Sequence, residues 1–283
     1  MSTLFVNKLT NLDFSYLDPT LGVVGESWLL DIQLAGDLND EGMVLDFGLV
    51  KKQVRDYVDQ YIDHCLLVPK LFQGCAIKDQ GDRLFIDFTL ESGEVIHHDS
   101  ISSAVALIEA ETIDSDSVRH NILAYLKGQV PDNVHSLDVQ LYPEPSLEKY
   151  YRYSHGLRKH AGNCQRIAHG HRSDLKVYVD DKPSDEWQEY WLNKWKDIYI
   201  GTKTHLKEQT GTQFKFEYEA PQGLFRLHLP KESCYLMATE TTVENIAQHL
   251  ANETAKKVPG KSVRVIAFEG IGKGAIASAR IDG

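Results

Sequence analysis

The sequence is poor in cysteine. Its 283 residues hold four, at positions 65, 75, 164 and 234, with no Cys-x-x-Cys pair and no disulfide framework. That excludes a small disulfide-built scaffold and suits a reducing compartment. Basic charge is also in short supply, since the formal net charge is −11. A broad nucleic-acid face needs the opposite sign, so no nucleic-acid partner is expected, although a local basic pocket for a small anion stays open. No apolar run approaches the ~20 residues that span a bilayer. The start, Met1 to Lys8, has no signal-peptide pattern, so a cytoplasmic chain with no membrane partner is expected. What is left, 42% hydrophobic and 25% charged, is the balance of a soluble globular protein of two ordinary domains or one large one.

Against that background one stretch is dense in chemistry. Tyr153 to Val179 packs four histidines and a cysteine into a short span. Leu175, Val177 and Val179 alternate with polar residues, which predicts a strand from His169 onward. Residues two apart in a strand share a face, so His169 and His171 project together. His155 follows Tyr151 and Tyr153 at strand period, and a neighbouring strand can bring it to the same spot. Three imidazoles with one open position make a catalytic zinc arrangement; a closed structural site more often has four ligands. Cys164 lies between His155 and His169, placed to act on whatever fills the open position. Isolated histidines are ordinarily surface or packing residues, and this chain has twelve, so the cluster needs support from elsewhere.

That support is an internal repeat. In the first half we predict strands over 4–12 and 28–34, a helix from Leu49 to Leu67 that carries Asp63 and His64, a hairpin over 84–97, a helix over 115–126 capped by Asp114 or Ser115, and a strand over 137–142. Pro143-Glu144-Pro145 reads as a boundary. The second half repeats the order: strands at 151–155 and 175–179, a helix over 185–199, a hairpin from 214 to 229, a helix over 243–256 capped by Thr241 or Thr242, and a strand over 263–268. Ser136–Tyr142 aligns with Ser262–Phe268. The three histidines fall on Tyr16, Val24 and Glu26. A site lost as a unit in one copy and kept as a unit in the other indicates that its residues act together.

These residues resemble the 6-pyruvoyl-tetrahydropterin synthase / 6-carboxy-tetrahydropterin synthase family, of the tunnelling fold, in a tandem form that spans nearly the whole chain. The second half carries Tyr153-Ser154-His155, Cys164 in a Gly-Asn-Cys loop, His169-Gly170-His171, a Thr-Thr-Val-Glu-Asn helix start and Glu269. The first half carries Gly42 to Phe47 (Gly-Met-Val-Leu-Asp-Phe) and Asp63-His64. The resemblance implies an α+β chain of two tandem copies, 1–145 without the metal site but with Asp-His, and 146–283 with the metal site. Each copy would be an antiparallel sheet with two helices on one face. It implies Zn²⁺ on His155, His169 and His171, with Cys164, Asp63 and His64 catalytic and Glu269 anchoring a pterin. The implied reaction is a lyase acting on 7,8-dihydroneopterin triphosphate, with a pyruvoyl or a carboxy product, the latter in a 7-deazaguanine (queuosine) route; a pterin- or purine-binding or structural role is the alternative. A homo-oligomer is implied. Thr204-His205 is expected as the second-half counterpart of Asp63-His64, and Arg158, Lys159 and Arg166 are candidates for triphosphate contact. Four residues separate Cys164 from His169, between the five and three usual for the pyruvoyl and carboxy types, so the spacing does not assign the product.

Overall fold

A computed structural model describes residues 1–282. The first half runs β1 (Ser2–Asp18), β2 (Gly22–Gly36), α1 (Phe47–Tyr61), β3 (Leu66–Pro69), β4 (Cys75–Asp79), β5 (Arg83–Thr89), β6 (Val95–Ile101), β7 (Val105–Ile108), α2 (Ser115–Leu126) and β8 (Val134–Pro143). The second runs β9 (Tyr151–His155), β10 (His169–Ser173), β11 (Leu175–Val179), β12 (Lys182–Pro183), α3 (Asp185–Lys194), β13 (Ile198–Thr202), β14 (Leu206–Gln209), β15 (Gln213–Ala220), β16 (Gly223–Pro230), β17 (Cys234–Met237), α4 (Val243–Ala255), β18 (Ser262–Phe268) and β19 (Gly274–Arg280).

The helices are fixed locally. Asp46 caps α1 by accepting from Leu49 N, and Val50, Val54, Tyr57 and Val58 bury one face. Asp114 and Ser117 close a capping box on α2, and Thr242 caps α4. Two predicted helices are too long. The first stops at Tyr61 rather than Leu67, because Leu66–Pro69 is a fully buried strand, and the other stops at Lys194, with Ile198–Thr202 a buried strand as well. Short runs buried on every side have no alternation, so periodicity cannot separate strand from helix there. These strands also run parallel to their neighbours: β3 lies between β1 and β7, and β13 between β9 and β17.

Strand order shows the repeat. The first half orders β7-β3-β1-β2-β8; the second orders β17-β13-β9-β10, continued through β11 to β18. Tyr16 pairs with Val24 as His155 pairs with His169, and Phe14 with Glu26 as Tyr153 with His171. The two copies face each other across a local two-fold. Ser15 Oγ donates to the hydroxyl of its own counterpart, Ser154, at 2.7 Å. Gly170 abuts its counterpart Gly25 so closely that an added Cβ would lie 2.6 Å from Gly25 Cα. Only glycine permits such an approach. The seam is completed by β6 and β16, which join the halves in one six-stranded sheet. There His98 pairs with Leu227, each seven positions before the start of β7 or β17, and so at equivalent places. Separate apolar cores lie under α1/α2 and α3/α4, and a third fills the seam with Leu17, Phe88, Phe216 and Leu227.

His98 makes the seam acid-sensitive. It is 3% exposed, its Nε2 bonds Ser100 Oγ at 2.9 Å, and burial, outweighing the nearby Asp99 charge, pushes its pKa down to about 4. A depressed value means the unfolded chain binds the proton first. The stabilisation is therefore present above pH ~6.5 and is lost as pH falls toward 4, by about 3 kcal/mol in all. His98→Leu, which installs the residue of the other copy, is expected to flatten the stability profile over that window. An unchanged slope in denaturant titrations would refute the assignment.

Candidate active site

The strand pair β9–β10 builds the centre. His169 pairs opposite His155, and His171 lies two residues on. The rings of His155 and His169 are 4.4 Å apart, and those of His155 and His171 5.4 Å. All three are at most 1% exposed. One ligand nitrogen from each falls within 4.8 Å of the other two. The outer nitrogens of two are tied back: His155 Nδ1 to Thr241 O at 2.9 Å and His169 Nδ1 to Arg166 O at 3.0 Å. Donation from Nδ1 leaves Nε2 as the lone-pair nitrogen. The Nε2 atoms of His155, His169 and His171 have no hydrogen-bond partner among the described residues. Buried polar atoms are rarely left unpaired, so three converging on one point fit a metal. Burial, and then neighbouring imidazoles, hold His155 and His169 well below the usual histidine range, which keeps them neutral as ligands must be.

The first half supplies the rest. After α1 the chain turns through His64, whose φ is +55°, and His64 N donates to Asp13 O at 2.7 Å. His64 Nδ1 is hydrogen-bonded to Asp63 Oδ2. The other side of the ring faces the three histidines, 5.1 Å between centroids from His169. A ligand atom of His64, the Cys164 sulfur and a His169 nitrogen lie within 4.8 Å of one another. Burial pulls the His64 pKa down, but hydrogen bonds to Asp63 and Cys164 outweigh it and raise it to about 10. Cys164 sits in a loop pinned from both sides. Asn163 donates to Asp59 O in α1 at 3.2 Å and accepts from Gln222 in the β15–β16 turn at 2.9 Å. The structure thus brings His155, His169, His171, Cys164, Asp63 and His64 together within one chain.

Glu269 follows β18 and is 22% exposed, with Oε1 4.0 Å from His171 Nε2, so it borders the histidine cluster. Of the triphosphate candidates, Arg166 is 4% exposed and spent on Cys65 Sγ, at 2.9 Å, and on Asp63 O. It braces the Cys164 loop against Asp63 and is not free for an anion. Lys159 reaches only Glu240, at 3.9 Å, and Arg158 is exposed. That the carbonyls of Thr241 and Arg166 orient two of the histidines was not readable in the sequence, because a backbone acceptor does not depend on residue type.

The local two-fold generates a second site, and there the chemistry is inverted. The counterpart of Asp63-His64 is Lys196-Asp197, not Thr204-His205. Asp197 follows α3 as His64 follows α1, with the matching φ of +53°. His205 instead lies beyond β13, 3.5 Å from Glu240. Where the first site has three histidines, the second has Tyr16, Val24 and Glu26, and Arg152 enters among them. Arg152 Nε donates to Asp197 Oδ1 at 2.6 Å and Nη1 to Tyr16 OH at 3.2 Å, and Nη1 is 3.9 Å from Glu26 Oε2. Arg152 is 19% exposed and both carboxylates 9%. A guanidinium supplies the positive charge here. Arg152→Ala strands two buried carboxylates and is expected to cost about 3–5 kcal/mol. Bound metal should be unchanged; a loss below about 1 kcal/mol in chemical denaturation would show the network to be idle.

The family model described as 6-pyruvoyl tetrahydropterin synthase matches residues 22–80 and 144–279. No curated protein matches the chain. Among solved structures, 6-pyruvoyl tetrahydropterin synthase from Plasmodium vivax is 20% identical, with 51% of this chain and 93% of that one covered and a TM-score of 0.43. The Plasmodium falciparum 6-pyruvoyl tetrahydropterin synthase is 14% identical over the same shares, with a TM-score of 0.40.

Proposed function

We propose, for a chain that belongs to the 6-pyruvoyl tetrahydropterin synthase family over more than half its length and carries the fold as two tandem copies, a Zn²⁺-dependent lyase acting on 7,8-dihydroneopterin triphosphate. The observation that carries this reading is the meeting of three unpartnered Nε2 atoms with Cys164 and His64 from opposite halves of the chain. His155, His169 and His171 would hold the metal. Bound there, Zn²⁺ would supply Lewis-acid polarisation of the substrate's side-chain oxygens. Cys164 removes the proton from the adjacent carbon as general base, and His64 moves the second proton while Asp63 holds its Nδ1. Glu269 accepts from the pterin amino group and ring N–H, since a carboxylate matches that donor pair. The tightly pinned Cys164 loop keeps sulfur and imidazole in register. The product is either the carboxy type, with loss of a two-carbon aldehyde, in a 7-deazaguanine route, or the pyruvoyl type. Assembly of several chains through β8 and β19, which end their sheets, belongs to the same proposal, and sedimentation as a monomer would remove it.

The test is metal analysis of the purified chain together with an assay of triphosphate release. One zinc per chain with release supports the reading, and the organic product names the subtype. One zinc without release points to the alternative, a pterin- or purine-binding protein. Two zincs per chain would contradict the one-sided metal site.

A further inference from the structure

His171 is held differently from its two partners. Thr241 and Arg166, which orient His155 and His169, belong to the same half of the chain. The group beside His171 Nδ1 comes from the other half: Asp13 Oδ1, 3.2 Å away, close though not aligned for a hydrogen bond. Asp13 lies in β1 and is 4% exposed. Its side chain is fixed by donors on each oxygen, Ser27 Oγ on Oδ1 and Lys273 Nζ at 3.1 Å from Oδ2. Gly270, at φ +70°, gives it room, since a Cβ there would fall 2.4 Å from Oδ1. The backbone of the same residue grips the other half of the site. Asp13 N donates to Asp63 Oδ1 at 2.8 Å, and Asp13 O accepts from His64 N.

We infer that Asp13 is a positioning residue that aims His171 at the metal and sets Asp63-His64 in register with it across the seam. The inference rests on the metal reading of the three histidines. The inverted site supports it independently. Arg152 lies three residues before His155 as Asp13 lies three before Tyr16, so the two positions are equivalent, and Arg152 too crosses the seam toward the counterpart of His171, Glu26. Each site places a charged side chain at this position, a carboxylate beside imidazole in one and a guanidinium beside carboxylate in the other. Carboxylate-to-histidine contacts of this kind orient the ring and raise its basicity as a ligand.

The test is calorimetric titration of Zn²⁺ into metal-free protein. Asp13→Asn keeps the shape, the Ser27 acceptor and both backbone bonds, and removes the charge. It is expected to weaken Zn²⁺ binding about 10–100-fold. Arg152→Ala, which disturbs the seam at the equivalent position of the other site, should leave Zn²⁺ affinity unchanged, because it does not touch His171. Equal losses in the two variants, or no loss in Asp13→Asn, would overturn the inference. If Asp13→Asn does not fold, Ser27→Ala loosens the same oxygen without touching charge. It should then give a smaller loss of the same sign, and unaltered binding would overturn the inference in its turn. A native chain that takes up no Zn²⁺ would remove the metal reading itself, an outcome distinct from native binding that ignores Asp13.

Discussion

Cys164→Ala is expected to retain Zn²⁺ and to lose turnover of 7,8-dihydroneopterin triphosphate by about 10²–10⁴-fold, the usual contribution of a positioned base. His64→Ala should fall in the same range. The geometry explains why. Cys164 and His64 share one cluster with His169, but the metal set of His155, His169 and His171 is complete without either. Removing them therefore spares the metal and takes away proton transfer. Because the two face each other, with Asp63 behind His64, they should behave as a unit. The double variant should lose little more than the worse single one. Metal retention with unimpaired turnover in Cys164→Ala would place the base elsewhere. Full turnover in His64→Ala would leave the first half of the chain without a catalytic part.

Loss of metal binding in His155→Ala is the other large effect. His155 is fully buried and its Nε2 has no hydrogen-bond partner among the described residues. Zn²⁺ at a hundred times its dissociation constant should stabilise the native chain by about 2.7 kcal/mol, because it binds the folded site and not the unfolded chain, and a chelator should reverse that. With His155 truncated, the remaining pair is a poor tetrahedral site, and the Zn²⁺-dependent rise in melting temperature should vanish. The measurement needs no substrate, so it separates the metal question from the enzymatic one. An undiminished rise in His155→Ala would sink the ligand set.

How much of this was legible in the chain follows from the range of each signal. Strand alternation spans two residues, and it was enough to put His169 and His171 on one face, with His155 opposite in register. Capping needs three or four residues, and Asp114 and Thr242 were readable for that reason. The repeat was readable because both copies keep a common order of elements, and the strand registers put Tyr16, Val24 and Glu26 at the places that match His155, His169 and His171. The buried strands β3 and β13 were not readable, since burial on every side erases the alternation that marks a strand. The false pairing with Thr204-His205 followed from that error: once α3 ends at Lys194, the left-handed residue after it is Asp197.

The sequence by itself determined the three histidines of one copy, their replacement in the other, and the presence there of an acid–imidazole pair, because these are matters of residue identity and short spacing. Tertiary structure alone decided that the two remnants meet inside one chain, that Asp13 reaches His171, and that Arg152 occupies the second site. Apart from Arg152–Asp197, those contacts join residues 100 or more positions apart. They depend on a two-fold seam at which Gly25 meets Gly170, Ser15 meets Ser154 and β6 pairs with β16. No local pattern encodes such a seam, since it arises from the packing of two finished sheets against each other.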